Sequence, residues 1–397
     1  MKKTILFFAI IIGLSLQGAC SDTTKEETNT IEGLSLENFP KMDGSTSCRH
    51  LNNIIACKLL DIPYKWQPPL VDEWTVGPAV WTQEYLDFFS DRVKTSQTHG
   101  AFINLIDGNA DIILTHRTIS PDEKARADEA GLTLIETPVA MDAFVFVVNK
   151  NNPVKSLTVE QVQKIYTGEI TNWAQVGGNN ASMKVFTRPR NSGSEEVMRE
   201  LVMNDLEMAD FPESSIGQMV WVFTEVINNP EGICYTFNNY KDLIARKSDD
   251  VVPKIAINDI FPDENTVRNQ TYPFISAVHV AIRSDLDHNS MAYKLYEYLQ
   301  TDAAKSIYTE SGFVPKTNAN AIRKMDSEAI RISTNPVKDY LYIQSGNPVK
   351  KAEIYNQTGQ LVLSKSGTAR KINVSALSAG MYILRCDGNN AIKFLKQ

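Results

Sequence analysis

The chain has 397 residues, 43% of them apolar and 22% charged, and a net charge of -7. That is enough for two or three hydrophobic cores, and the acidic balance argues against a nucleic-acid partner. An anion site would have to be locally positive, built from helix ends and single basic side chains. The five cysteines (Cys20, Cys48, Cys57, Cys234, Cys386) and five histidines show no metal-ligand spacing, and no Gly-x-Ser-x-Gly motif occurs. No metal, no other cofactor, no catalytic residue and hence no enzyme is expected.

The N-terminus carries Lys2 and Lys3, an apolar run from Ile5 to Leu16, and Gly18-Ala19-Cys20. This pattern predicts an export signal over 1–19 and not a membrane span. The Gly-Ala-Cys ending resembles a lipobox in which Cys20 would be acylated, although Gln17 stands where Leu is usual, which leaves cleavage without lipidation open. Residues 20–38 read as a flexible acidic tether.

Asp43-Gly44-Ser45-Thr46-Ser47 then leads into helical apolar spacing over 48–60. The aromatic stretch from Trp66 and Trp74 through Trp81, Tyr85, Phe88 and Phe89 is either a satellite core or a surface for a partner. Ser96-Gln97-Thr98-His99-Gly100 opens another helical pattern, and Thr187-Arg188-Pro189-Arg190-Asn191-Ser192-Gly193-Ser194 opens a third. Small hydroxyl residues and glycine at a helix start serve either as N-caps or as an oxyanion grip, because unpaired N–H groups and a partial positive charge gather there. Three such segments, one with Arg188 beside it, favour the oxyanion reading. Strands are expected at Thr133–Glu136, Ala143–Val148 and His279–Ile282, alternating with helices at Val159–Tyr166, Glu195–Val202 and Ala292–Thr301. From Ile330 onward about seven short alternating strands predict a small β-sandwich over 330–397.

The runs Asp142-Ala143-Phe144-Val145-Phe146-Val147-Val148-Asn149 and Ile165-Tyr166-Thr167-Gly168-Glu169-Ile170-Thr171-Asn172-Trp173, with Gly232-Ile233-Cys234-Tyr235 and Ser311-Gly312-Phe313-Val314-Pro315, resemble the phosphate-binding solute-binding proteins of ABC importers. The resemblance implies a two-lobed α/β fold of periplasmic-binding-protein type II over 39–325. The first lobe would take 39–138 and 279–325, the second 143–271, with two hinge crossings near Val139–Phe144 and Tyr272–Val278. Ligand would sit between the lobes, held by Ser45, Thr46, Ser47, Thr98 or His99, Arg188, Ser192, Gly193 and Ser194. A phosphate-selective site also needs an acceptor for the phosphate's own proton, which some family members supply as an aspartate where His116 stands here; His116 is a candidate, with Asp43 and Asp142 as substitutes. The implied function is capture of inorganic phosphate or a related oxyanion for uptake by an ABC permease. An adhesion protein, or an enzyme acting on a phosphorylated substrate, is the alternative on the same fold.

Asn335-Pro336-Val337, Leu377-Ser378-Ala379-Gly380-Met381-Tyr382 and the terminal Lys393-Phe394-Leu395-Lys396 resemble the C-terminal sorting domain of type IX secretion in Bacteroidetes. That implies the type IX machinery as a partner and a periplasmic, outer-membrane or cell-surface destination in a Gram-negative bacterium. Membrane contact would be through a lipid anchor at most.

Overall fold

The computed structural model describes residues 31–68, 73–204, 206–316, 331–332, 336–344, 349–356, 359–367, 371–387 and 390–397. The expected signal, the tether up to residue 30, lipidation at Cys20 and the junction over 317–330 lie outside them.

The first lobe opens with β1 (Met42–Gly44) and α1 (Arg49–Leu59), followed by the hairpin β2 (Tyr64–Gln67) and β3 (Thr75–Pro78). Next come α2 (Gln83–Arg92), α3 (Gln97–Ile106), β4 (Ile112–Thr115) and α4 (Pro121–Glu129). Leu51, Ile54, Ile55 and Leu59 recur at helical spacing on α1 and are buried with Phe88, Phe89, Ile112 and Leu114. The aromatic stretch therefore contributes to this lobe's core, while Trp81 keeps 40% of its surface exposed.

The sequence reading breaks the chain between Glu136 and Ala143, but the structure runs one strand, β5, from Leu134 to Val148. Pro138 explains the apparent gap: it cannot donate to the ladder, and the register with the neighbouring strand slips directly opposite it, between Val278 and His279. From Val139 onward every residue of β5 is buried, which is why this half reads as a continuous apolar run.

The second lobe holds β6 (Ser156–Leu157), α5 (Val159–Tyr166), β7 (Lys184–Val185), α6 (Gly193–Val197), α7 (Trp221–Asn228), β8 (Gly232–Phe237) and β9 (Ala256–Ile257). The helix expected over Glu195–Val202 is a short α-helical turn that widens into a π-helix over Met198–Met203, ending on Asn204 in the left-handed region. The chain returns through β10 (Ile275–Arg283) and adds β11 (Val314–Pro315).

One sheet runs through both lobes in the order β1-β4-β10-β5-β8-β7, with β11 also on β5. β5 pairs with β10 from Leu134 to Ala143 and with β8 from Phe144 to Val148. The change of partner at Ala143 and Phe144 carries the chain from one core to the other. Separate buried clusters centre on Leu51, Ile55 and Val280 on one side and on Phe144, Tyr166 and Val222 on the other.

The C-terminal region forms two small sheets. β12 (Arg331–Ile332), β13 (Tyr340–Gln344) and β16 (Lys371–Asn373) make one, and β14 (Lys351–Tyr355), β15 (Leu361–Ser366), β17 (Gly380–Cys386) and β18 (Asn390–Lys396) make the other. Leu341, Ile343 and Ile372 from the first pack with Ile354, Leu384 and Phe394 from the second, so the apolar alternate residues face inward as in a sandwich. The four described cysteines are free and buried. Among the described residues no helix is long and apolar enough to cross a membrane, and no group of three His, Cys, Asp or Glu could hold a metal.

Candidate functional site

The carboxyl ends of β1 and β8 and the segments that lead into α1, α3 and α6 converge on a cleft between the two cores. From the first lobe it is lined by Ser45, Thr46, Ser47, Gln97 and Thr98. From the second come Arg188, Ser192, Gly193, Ser194, Gln218, Met219 and Phe237. The enclosed space is about 30 Å³, which suits a small inorganic ion.

Local conformation explains why these side chains face the cleft. Ser45 follows β1 in extended conformation and precedes the 3₁₀ turn Thr46–Cys48, yet its hydroxyl caps no N–H. Instead Ser45 Oγ lies 3.1 Å from Ser47 Oγ. Ser96 likewise spends no hydroxyl on capping α3. Gln97 before Thr98 and Asn191 before Ser192 both adopt positive φ, 64° and 65°. Such a conformation costs a non-glycine residue about 1–3 kcal/mol, and here it turns the chain sharply into two of the three helix starts. Gly193 meets Thr98 across the cleft, and a Cβ on it would overlap Thr98 Oγ1.

Arg188 supplies positive charge. Its Nη1 donates to the carbonyl of Ile216 at 2.6 Å, and its buried Nε has no hydrogen-bond partner. Glu195 lies nearby but is taken up elsewhere: it accepts from Arg199, from the Tyr235 hydroxyl and from the Arg188 backbone N–H. Arg188 makes no ion pair among the described residues, so its charge faces the cleft. Burial lowers its pKa but leaves a guanidinium charged.

Three of the expected site residues lie elsewhere. His99 points away from the cleft: its Nδ1 is 2.9 Å from Glu123 Oε1, and its side chain is 41% exposed. Neighbours on a helix point about 100° apart, so only one of Thr98 and His99 can face the cleft, and it is Thr98. His116 and Asp142 do not line the cleft either; they are buried behind Ser47. His116 Nδ1 is 2.8 Å from Ser47 Oγ, its Nε2 is 3.6 Å from Asp142 Oδ2, and its ring stacks on Phe237 at 4.0 Å. Asp142 accepts from the N–H groups of Ala143 and Asn239. Burial opposes charge on His116, but the Cys48 sulfur and Asp142 outweigh it and raise its pKa to about 9. Burial also pushes the Asp142 carboxyl upward, against His116 and the two N–H donors. Two backbone donors aimed at its oxygens favour the ionised carboxylate, and hence an imidazolium beside it.

The lobes also meet outside the cleft. Asn191 Nδ2 donates to Asp122 Oδ2 at 3.0 Å. The β2–β3 hairpin reaches the second lobe: Trp74 N–H donates to Ile244 O at 2.7 Å, and Arg246 lies over the rings of Trp74 (3.6 Å) and Trp66 (5.2 Å). Glu73 pairs with Arg49 at 2.9 Å and accepts from the Tyr240 hydroxyl. Gln97, Gln218, Met219 and Phe237 carry no motif and were not expected at the site.

Residues 87–303, more than half the chain, match the family model described as a PBP superfamily domain, and residues 334–397 match that of a secretion system C-terminal sorting domain. The first match includes Thr98, Arg188 and Ser192–Ser194 but begins after Ser45–Ser47. A phosphate-binding protein of Bacillus subtilis is 25% identical over 218 residues, 54% of this chain and 66% of that one, so the match spans slightly under two thirds of that relative. A phosphate-binding protein of Staphylococcus saprophyticus is 24% identical over 79% of this chain and 90% of its own. Among solved structures, a Clostridium perfringens protein described as a phosphate ABC transporter substrate-binding protein, with bound phosphate, shares the fold. It superposes with a TM-score of 0.52 at 20% identity, covering 70% of this chain and 98% of that one.

Proposed function

The chain belongs to the PBP superfamily, and on that premise we propose that it is an exported solute-binding protein that captures inorganic phosphate, or a tetrahedral oxyanion like it, between its lobes. The observation that carries this reading is Arg188: a guanidinium that, among the described residues, makes no ion pair and leaves its buried Nε unpaired, facing a ring of hydroxyls from both lobes. A guanidinium and hydroxyl donors recognise an oxyanion through charge-assisted hydrogen bonds, and a closed cleft strengthens them by excluding water. Binding and closure are one event, because Thr98 belongs to one lobe and Ser192–Ser194 to the other.

The phosphate-binding relatives support phosphate as ligand, and an ABC permease would be the recipient. The family is one of binding receptors and not of enzymes. The sorting domain supports passage through the type IX machinery to the outer membrane or cell surface, and Cys20 would add a lipid anchor. Calorimetric titration of the full mature chain with sodium phosphate tests the reading. Saturable one-to-one binding is expected, and a folded protein that takes up no phosphate would refute it.

A further inference from the structure

From Ser45 and Ser47 in the lining of the cleft a polar chain runs back to the buried His116 and Asp142, and His116 reaches the anion position through the Ser47 hydroxyl. A hydroxyl has one proton to give. If His116 is neutral with its proton on Nε2, the Ser47 proton goes to Nδ1 and the Ser47 oxygen is left to accept from the ligand. If His116 is an imidazolium, Nδ1–H donates to Ser47 Oγ, and the Ser47 proton is free for the ligand or for Ser45.

The groups around the ring favour the second state. Asp142, on β5, stands 3.6 Å from Nε2, which has no hydrogen-bond partner among the described residues, and a buried carboxylate without a cation is costly. Cys48 Sγ lies 3.4 Å from Nδ1. The two other imidazoles whose charge would oppose this one are neutral: burial first, and then His116, lower His50 on α1 to about 3 and His279 on β10 to about 4. The apolar rings of Phe237 and Phe313 also pack on the imidazole.

Resting on the oxyanion reading of the cleft, we infer that His116 is the specificity-determining residue: as an imidazolium held by Asp142 it fixes Ser47 as a donor, so the site takes fully ionised oxyanions such as sulfate about as readily as hydrogen phosphate. The lining agrees. Among the described residues it contains no carboxylate, so nothing in it repels an anion that lacks a proton. The amide oxygens of Gln97 and Gln218 can accept the proton of hydrogen phosphate, which keeps that ion acceptable without making it preferred.

The test is calorimetric titration of the full mature chain with sodium sulfate and sodium phosphate at neutral pH. Dissociation constants within about tenfold of each other are expected. Phosphate binding with sulfate weaker by more than that would overturn the inference while leaving the oxyanion reading intact; binding of neither anion would sink both. Ser47→Ala takes a donor away from both anions, so it should weaken sulfate and phosphate alike and leave their ratio within about threefold. If Ser47 instead accepts from hydrogen phosphate, the same variant should weaken phosphate at least about tenfold relative to sulfate, and that change of ratio in the folded variant counts against the inference. Should Ser47→Ala fail to fold, ¹⁵N spectra of the wild-type side chains decide: both ring nitrogens of His116 protonated at neutral pH is expected, and a neutral ring overturns it.

Discussion

Gly193 of the second lobe sits so close to Thr98 of the first that a Cβ on the glycine would overlap the threonine Oγ1. The smallest side chain thus sets how far the cleft can close. Gly193→Ala should hold the lobes apart at the anion position. Overpacking of this kind costs about 1–3 kcal/mol, or roughly 5- to 150-fold in phosphate affinity, with little effect on the melting temperature of either lobe. Adding Thr98→Ala to make room for the new methyl should recover part of the loss in the same titration. A further loss would show that the two residues act independently.

Arg188→Ala should abolish measurable anion binding in a chain that remains folded. Removing a charged contact from a desolvated site costs about 2–5 kcal/mol, equivalent to about thirty-fold to several thousand-fold in affinity. Thermal unfolding should change little, because the guanidinium makes no ion pair among the described residues and only Nη1 bonds within the protein, to Ile216. Calorimetry with phosphate, run beside a melting curve, checks both halves.

The hairpin contact on Arg246 predicts an effect on kinetics. Arg246→Ala removes the cation held against Trp74 and Trp66, each contact being worth about 0.5–2 kcal/mol. The Trp74–Ile244 backbone bond and Glu73 remain to hold the lobes together. Since those contacts exist only with the lobes together, their loss should speed phosphate release by about tenfold with the association rate nearly unchanged. Stopped-flow tryptophan fluorescence reads both rates. Equal release rates in the two proteins would mean that the hairpin does not hold the lobes closed.

Glu136 gives a pH signature. Burial raises its carboxyl to about 7, against the Ile119 N–H it accepts from and the nearby Arg117 charge. An acid whose folded pKa lies above its unfolded value binds more protons when folded, so stability falls as pH rises from about 4.5 and the full cost is present above about 7. Glu136→Gln keeps an acceptor for Ile119 and removes the charge. The variant should match wild type near pH 4 and exceed it at pH 8 by about 1–2 kcal/mol after allowance for solvent screening. Denaturant melts at the two pH values measure the difference, and a gap of equal size at both would assign the effect to packing instead.

What was legible in the sequence follows from how locally each feature is encoded. Ser45–Ser47 and Arg188–Ser194 could be read because hydroxyls, glycine and arginine at a helix start carry their chemistry within a few residues. Gln218, Met219 and Phe237 could not, since they reach the cleft only when the second lobe folds and closes on the first. The choice between Thr98 and His99 depends on the rotation of α3, set by the left-handed turn at Gln97 that no residue-type preference announces. β5 looked like two strands because Pro138 and the polar Thr137 interrupt its apolar alternation, while its continuity comes from partners far away in sequence. The role of His116 was equally hidden, for the carboxylate that charges it stands 26 positions on, across the ring from Ser47.

The buried cysteines have a consequence for the redox environment an exported chain enters. Burial pushes the Cys57 and Cys234 thiols up to about 12 and Cys386 to about 11. Thiol exchange and oxidation proceed through the thiolate, so at neutral pH these three sulfurs of the folded chain offer almost no nucleophile to a disulfide-forming oxidant. The unfolded chain has no such protection, with ordinary thiols exposed from the same positions. Oxidative damage is therefore a matter of timing: the cores of both lobes and of the β-sandwich must close over their sulfurs before an oxidase finds them, and a mutation that slows folding would show itself first as mispaired disulfides.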